Sequence, residues 1–157
     1  MVPYGLNQDQ FVAMYSRRLE HASLNAIATI KTLLSRPIGP GVNEAHIEVF
    51  LDEYGGAPTV WIYHRGKHNR VDGSDPSIFP GKSTELRFGL EPLAEIDEQY
   101  FIAPEKFPGL MLIAPLLLRW VAECWWKAGG WAYPLPTILG VHDYGQDKPV
   151  VLSLGGT

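Results

Sequence analysis

LMLIAPLLLRWVAECWWKAGG, residues 110–130, decides how this chain folds. Arg119, Glu123 and Lys127 recur at i, i+4 and i+8, which on an α-helix makes one narrow polar stripe. Leu116, Leu117, Trp120, Val121, Cys124 and Trp125 cover the rest of the cylinder. A helix that is apolar on most sides must be surrounded by protein, so the stretch predicts a buried C-terminal helix. A membrane span needs about 20 consecutive apolar residues. This run is shorter, and Pro115 interrupts it, so the helix is expected to kink there or to restart with the proline in its first turn. Gly129-Gly130 supply the left-handed conformation that ends a helix.

Towards the N-terminus, Phe11, Tyr15, Leu19, Ala22, Ala26, Ile30 and Leu33 step by four, four, three, four, four and three, the spacing of one helical face. Asn7 and Gln10 fit a capping box at its start, and Pro37 forbids continuation past Arg36. The opposite face, with Arg17, Arg18, His21, Asn25 and Thr32, is expected to be wet. From Ala45 to Tyr54 the period changes to two, which predicts a half-buried strand. Gly55-Gly56 offers a turn, and Thr59 to Arg65 reads as the returning strand of a hairpin. Lys67 to Gly81 is loop chemistry, and Leu86, Phe88 and Leu90 resume alternation. A short strand is expected near Gln99 to Ile102, and two late strands at Ile138 to Val141 and Val150 to Leu154. This order predicts an α+β fold: an antiparallel sheet of about five strands packed by a long N-terminal helix and the buried C-terminal helix. Regular βαβ alternation and a G-x-G-x-x-G loop are missing, which argues against a doubly wound dinucleotide fold.

The 157 residues, 46% of them hydrophobic, fit a single globular domain spanning 1–157 that needs no covalent staple. The lone Cys124 excludes an intrachain disulfide and a thiol cluster for zinc, in keeping with a reducing compartment. Met1 to Gln10 has neither a basic lead nor an apolar block, so the cytoplasm is the expected location. A formal charge of −4 disfavours nucleic acid and anionic membrane as partners.

Several fragments imitate catalytic or ligand motifs. Gly81-Lys82-Ser83-Thr84 resembles the end of a phosphate-binding loop, but Pro76 stands where the leading glycine is required. His64 and His68 have helical ligand spacing with Gly66 between them, in a strand end, so no metal and no cofactor is expected. Asp72-Gly73-Ser74-Asp75 lacks the remainder of a calcium loop and reads as a turn. Cys124, flanked by tryptophans on a buried helix, is expected to pack and not to react, because burial raises a thiol pKa. His142-Asp143 leaves one enzymatic alternative, a small hydrolase or transferase using that doublet with a distant partner.

Charge supplies the recognition candidates. His64, Arg65, Lys67, His68 and Arg70 concentrate basic groups at a hairpin end, which makes Arg65, Lys67, His68 and Arg70 an alternative anion-binding module. Aromatic stacking platforms are not interleaved there, so nucleic acid is again disfavoured. Glu91, Glu95, Asp97, Glu98 and Glu105 form an acidic stretch free of lysine and arginine. Such a stretch can engage a basic protein surface and speed association. Trp61 and Tyr63 are the expected aromatic anchors, and Glu91, Glu95, Asp97 and Glu98 the expected acidic contacts.

Trp120-x-x-Glu123-Cys124-Trp125-x-x-Ala128-Gly129-Gly130, followed by Pro134, Pro136 and His142-Asp143, resembles small uncharacterised bacterial proteins of the toxin-immunity kind. The resemblance covers Trp120 to Asp143 and carries no catalytic residue. It implies a protein-binding domain, an immunity or inhibitor protein that occludes a toxin or enzyme partner. Apart from the resemblance, a homodimer is also compatible with the sequence.

Overall fold

The computed structural model describes residues 1–66, 83–144 and 148–156. Helix α1 spans Gln8–Ser35 and begins as its sequence requires: the Asn7 side chain accepts from the Gln10 amide at 2.8 Å and the Gln10 side chain accepts from the Asn7 amide at 3.0 Å. Strands β1 (Glu44–Phe50) and β2 (Thr59–Arg65) form the hairpin, and β3 (Ser83–Glu85) adds to the β2 edge. After two 3-10 turns, Glu91–Glu95 and Glu98–Tyr100, helix α2 runs from Gly109 to Lys127. A third 3-10 turn, Gly130–Ala132, leads into β4 (Pro136–Val141) and β5 (Val150–Leu154).

The class is α+β, and the sheet has five strands in the order β3-β2-β1-β4-β5. It is mixed, not antiparallel: β4 lies beside β1 and parallel to it, Ala45 facing Thr137 and Val49 facing Val141. The remaining pairings are antiparallel. A parallel neighbour requires a crossover, and α2 provides it between β3 and β4. Local alternation reports which residues share a face but not which strand a segment joins after a crossover.

Three sequence expectations fail for identifiable reasons. The first strand stops at Phe50 because the chain turns at Asp52, whose side chain accepts the Tyr54 amide at 2.8 Å. Leu86, Phe88 and Leu90 are buried, but pairing ends once the Leu86 amide has reached the Val60 carbonyl. Beyond it the Arg87 carbonyl is taken by Thr29 and Asn25 of α1, at 3.4 and 3.5 Å. Around Tyr100 the expected strand is a 3-10 turn, closed by Asp97 accepting the Gln99 amide and anchored by the Tyr100 hydroxyl donating to the Pro3 carbonyl at 2.6 Å. Of the two alternatives expected at Pro115, a restart with the proline in the first turn does not occur. Helix α2 starts six residues before Pro115 and passes through it, with the proline on an exposed side.

One hydrophobic core joins α1, α2 and a single face of the sheet. Ala45, Ile47, Val49, Val60, Ile62 and Leu139 are buried on that face, under Phe11, Tyr15 and Leu19 of α1 and Leu117, Val121 and Trp125 of α2. Phe11 holds Tyr100 and Phe107 at ring separations of 4.8 and 5.1 Å, near optimal for aromatic pairs. Helix α2 is long and apolar enough to cross a membrane, yet most of it is buried inside the protein. Arg119, Glu123 and Lys127 form its exposed stripe, as the spacing requires, which agrees with a water-soluble protein. At its end Gly129 is left-handed (φ 91°), and a Cβ on Gly130 would lie 2.2 Å from the Trp125 indole nitrogen. The glycine lets the chain close over that ring.

Candidate functional site

Because side chains alternate along a strand, burying one side of β1 and β2 places the rest on the other side. His46, Glu48 and Phe50 of β1 and Trp61 and Tyr63 of β2 are half-buried there. Phe50, Trp61 and Tyr63 stand outside the core to which both helices belong, so this side of the sheet is the open one among the described residues. Register fixes the neighbours: Trp61 stands opposite Glu48 on β1 and opposite Glu85 on β3, and Tyr63 stands opposite His46. A tryptophan is thus bracketed by two carboxylates across adjacent strands.

The end of β4 extends this surface. His142 stacks on Phe50 with ring centroids 4.9 Å apart. Its Nδ1 lies 3.5 Å from Glu48 Oε2 and its Nε2 3.4 Å from Asp143 Oδ2. Asp143 adopts φ 63°, a left-handed conformation that aspartate tolerates better than most residues. The Glu48 carboxylate therefore touches an imidazole on one side and faces Trp61 on the other. His46 is similarly 3.6 Å from Glu44.

His142 is half exposed, whereas His64 and Cys124 face the core at 2% and 1% exposure. None of the clefts formed by the described residues is lined by any of the three. His64, counted in the sequence among basic surface groups, shares a 3.1 Å hydrogen bond with the Tyr133 hydroxyl. Burial, aided by the nearby Arg36 charge, pushes its pKa down to about 4. It is a neutral core residue at physiological pH. Burial likewise pushes the Cys124 thiol up to about 11, outweighing a hydrogen bond to Ser23 and the Lys127 charge, which lower it. A thiol in that state is no nucleophile. No group of three or more histidine, cysteine, aspartate or glutamate residues able to hold a metal occurs among the described residues.

The acidic stretch lies beside the turn that joins β1 to β2. Glu91 and Glu95 are in the first 3-10 turn, Asp97 caps the second, and Glu98 begins it. Glu95 is engaged by Arg18 at 3.5 Å and by the N-terminal amine at 4.0 Å. Glu91 shares a shallow groove of about 260 Å³ with Thr59, Val60 and Glu85. That groove links the acidic stretch to the strand bearing Trp61. Glu95, Asp97 and Glu98 instead border a neighbouring depression with Asp52 and Tyr54. Of the basic alternative, Arg65 is exposed and stands opposite Glu44, while Lys67, His68 and Arg70 lie outside the described residues.

Sequence reasoning did not single out Glu48, Glu85 or Phe50. Alternation placed Glu48 and Phe50 on one face, but only the strand order brings Glu85 beside Trp61. Comparison with known proteins adds no relative: no family model, no curated protein and no solved structure matches the chain.

Proposed function

We propose that the protein is a cytoplasmic binding domain of the inhibitor or immunity kind, which captures a basic surface of another protein on the open side of its sheet. The observation that carries this reading is Trp61 held between Glu48 and Glu85 on a rigid strand. A lysine or arginine seated over the indole gains about 0.5–2 kcal/mol from the ring quadrupole. The Glu48 carboxylate adds attraction, as does that of Glu85, which also pairs with Arg87 at 3.5 Å, while Phe50 supplies apolar area and Tyr63 amphipathic area. Glu91 in the groove beside β2, and Glu95, Asp97 and Glu98 around the neighbouring depression, extend the negative potential, which steers a basic partner into contact. The mechanism is occlusion: the partner's working surface is covered and no covalent step is needed. A toxin is the partner class that the resemblance of residues 120–143 implies.

The hydrolase alternative draws less support, because His142 has carboxylates at both ring nitrogens and no nucleophile beside it among the contacts described. A half-buried aromatic face bordered by acids, outside the core, is the geometry of recognition. Affinity purification of the full chain from its native cells, read by mass spectrometry, tests the reading. A stoichiometric basic protein whose activity falls when the purified chain is added is the expected result. Recovery only as a free monomer under every condition would contradict it.

A further inference from the structure

We propose a second, independent site: a cleft between α1 and residues Gly89–Leu93 that binds a small organic anion with an apolar body. It shares Gly89 and Leu90 with the groove beside Glu91 but takes its charged groups from α1, on the other side of the sheet from Trp61, so it stands or falls apart from the recognition face. The cleft has a volume of about 450 Å³, inside the range of small-molecule sites, about 300–1,000 Å³.

Helix α1 forms one wall. Met14, Arg18 and Ala22 follow one another at four-residue steps, and Arg17 and His21 make a parallel row beside them. The facing wall is Gly89, Leu90, Pro92 and Leu93, of which Leu90 and Leu93 are buried in the core. Residue 89 of this wall is a glycine in the left-handed region. Its φ is +79°, and a Cβ there would come within 3.1 Å of the Asn25 amide nitrogen. Apolar groups thus line the floor.

The charge is one-sided. Among the described residues, Arg17, Arg18 and His21 are the ionisable ones lining the cleft, and no carboxylate lines it. Arg18 is oriented across it, with Nη1 3.4 Å from the Pro92 carbonyl oxygen and 3.5 Å from Glu95 Oε2 just outside. In a chain of net charge −4, two guanidiniums and an imidazole gathered over an apolar floor match a carboxylate or phosphate head carried on a hydrocarbon body. Arginine donors suit such heads because their fork matches the oxygen spacing. Glu95 competes for Arg18 when the cleft is empty.

Titration of the full chain with octanoate, acetate and octylamine, followed by calorimetry and by the methyl resonance of Met14, tests this. Saturable one-to-one binding of octanoate is expected, with acetate and octylamine at least about tenfold weaker. The paired change Arg17→Gln and Arg18→Gln should weaken octanoate by about tenfold or more, with at most a small fall in melting temperature from the lost Arg18 contacts to Pro92 and Glu95. Glu95→Gln should tighten it about two- to fivefold by releasing Arg18. Octylamine binding as well as octanoate, absence of saturation, or wild-type affinity in the double variant would overturn the proposal. So would weaker binding in Glu95→Gln. If the double variant does not fold, His21→Gln and the selectivity of the unaltered protein decide the same question: a loss of octanoate affinity in the first and a preference for octanoate over octylamine in the second are expected.

Discussion

Glu48 and Trp61 are register partners on neighbouring strands, and the same Glu48 carboxylate lies 3.5 Å from His142 at the end of β4. Three strands thus contribute to one acidic aromatic patch, while the opposite faces of those strands close the core. Replacing Glu48 with lysine reverses the charge beside the indole without touching the core. Partner association is expected to slow about tenfold or more at low salt, with the stopped-flow rate as readout and an unchanged circular dichroism spectrum as control.

His64 makes stability depend on acidity with a definite sign. Its pKa is about 4 in the folded protein against an ordinary 6.5. Between those values the unfolded chain binds a proton that the native chain refuses, so this contribution is complete above about pH 6.5 and is lost as pH falls towards 4. It amounts to about 3 kcal/mol. Urea unfolding of His64→Gln beside the unaltered protein isolates it: the difference in stability should shrink as pH drops from 7 to 4.5. A constant difference would mean that His64 takes up its proton alike in the folded and unfolded chains.

Cys124 should resist a water-soluble disulfide reagent in the native state, since it is buried and its thiol is pushed up to about 11. Reaction should follow the unfolding rate. Fast stoichiometric labelling at pH 8 would show that α2 is not enclosed as described.

Tyr15 is buried at 1% exposure, and its hydroxyl has no hydrogen-bond partner among the described residues. Burial drives its pKa strongly upward. Tyr15→Phe removes an unsatisfied polar atom and keeps the ring, so stability should be unchanged or higher by about 1 kcal/mol. Phe11→Ala, which empties the aromatic cluster, should cost about 3–5 kcal/mol. Chemical denaturation measures both.

Gly130 is fixed by the close approach of Trp125. Gly130→Ala should lower the melting temperature markedly, whereas Gly129→Ala is opposed by the backbone angle alone, because a Cβ there meets nothing within 4 Å. The expected order of damage, 130 over 129, is checked by thermal unfolding.

Much of this architecture is legible in local spacing, because helix faces and strand faces are periodic. The α1 face from Phe11 to Leu33, its capping box and its stop before Pro37 follow from residues three and four apart. The surroundings of Trp120 and Trp125 follow from the single polar stripe on α2. The parallel placement of β4 was not legible, since nothing in Pro136–Val141 encodes which edge of the hairpin it meets. Leu86, Phe88 and Leu90 alternate as a strand would, but α1 takes the Arg87 carbonyl, a tertiary choice invisible to period. The candidate site was read in part. Trp61 and Tyr63 could be placed on one face, but Glu85 joins Trp61 only through the sheet order, and His64 drops out of the basic cluster because its strand position turns it inward.

The most direct test of the recognition face uses the captured partner and equilibrium binding to four chains: unaltered, Trp61→Ala, Tyr63→Ala, and Lys127→Ala on the exposed stripe of α2. An aromatic anchor at an interface centre is worth about 2 kcal/mol or more, which is roughly 30-fold in Kd. Losses of that size for Trp61→Ala, smaller losses for Tyr63→Ala and none for Lys127→Ala are expected. Wild-type affinity in a folded Trp61→Ala chain would contradict capture on the open face of the sheet.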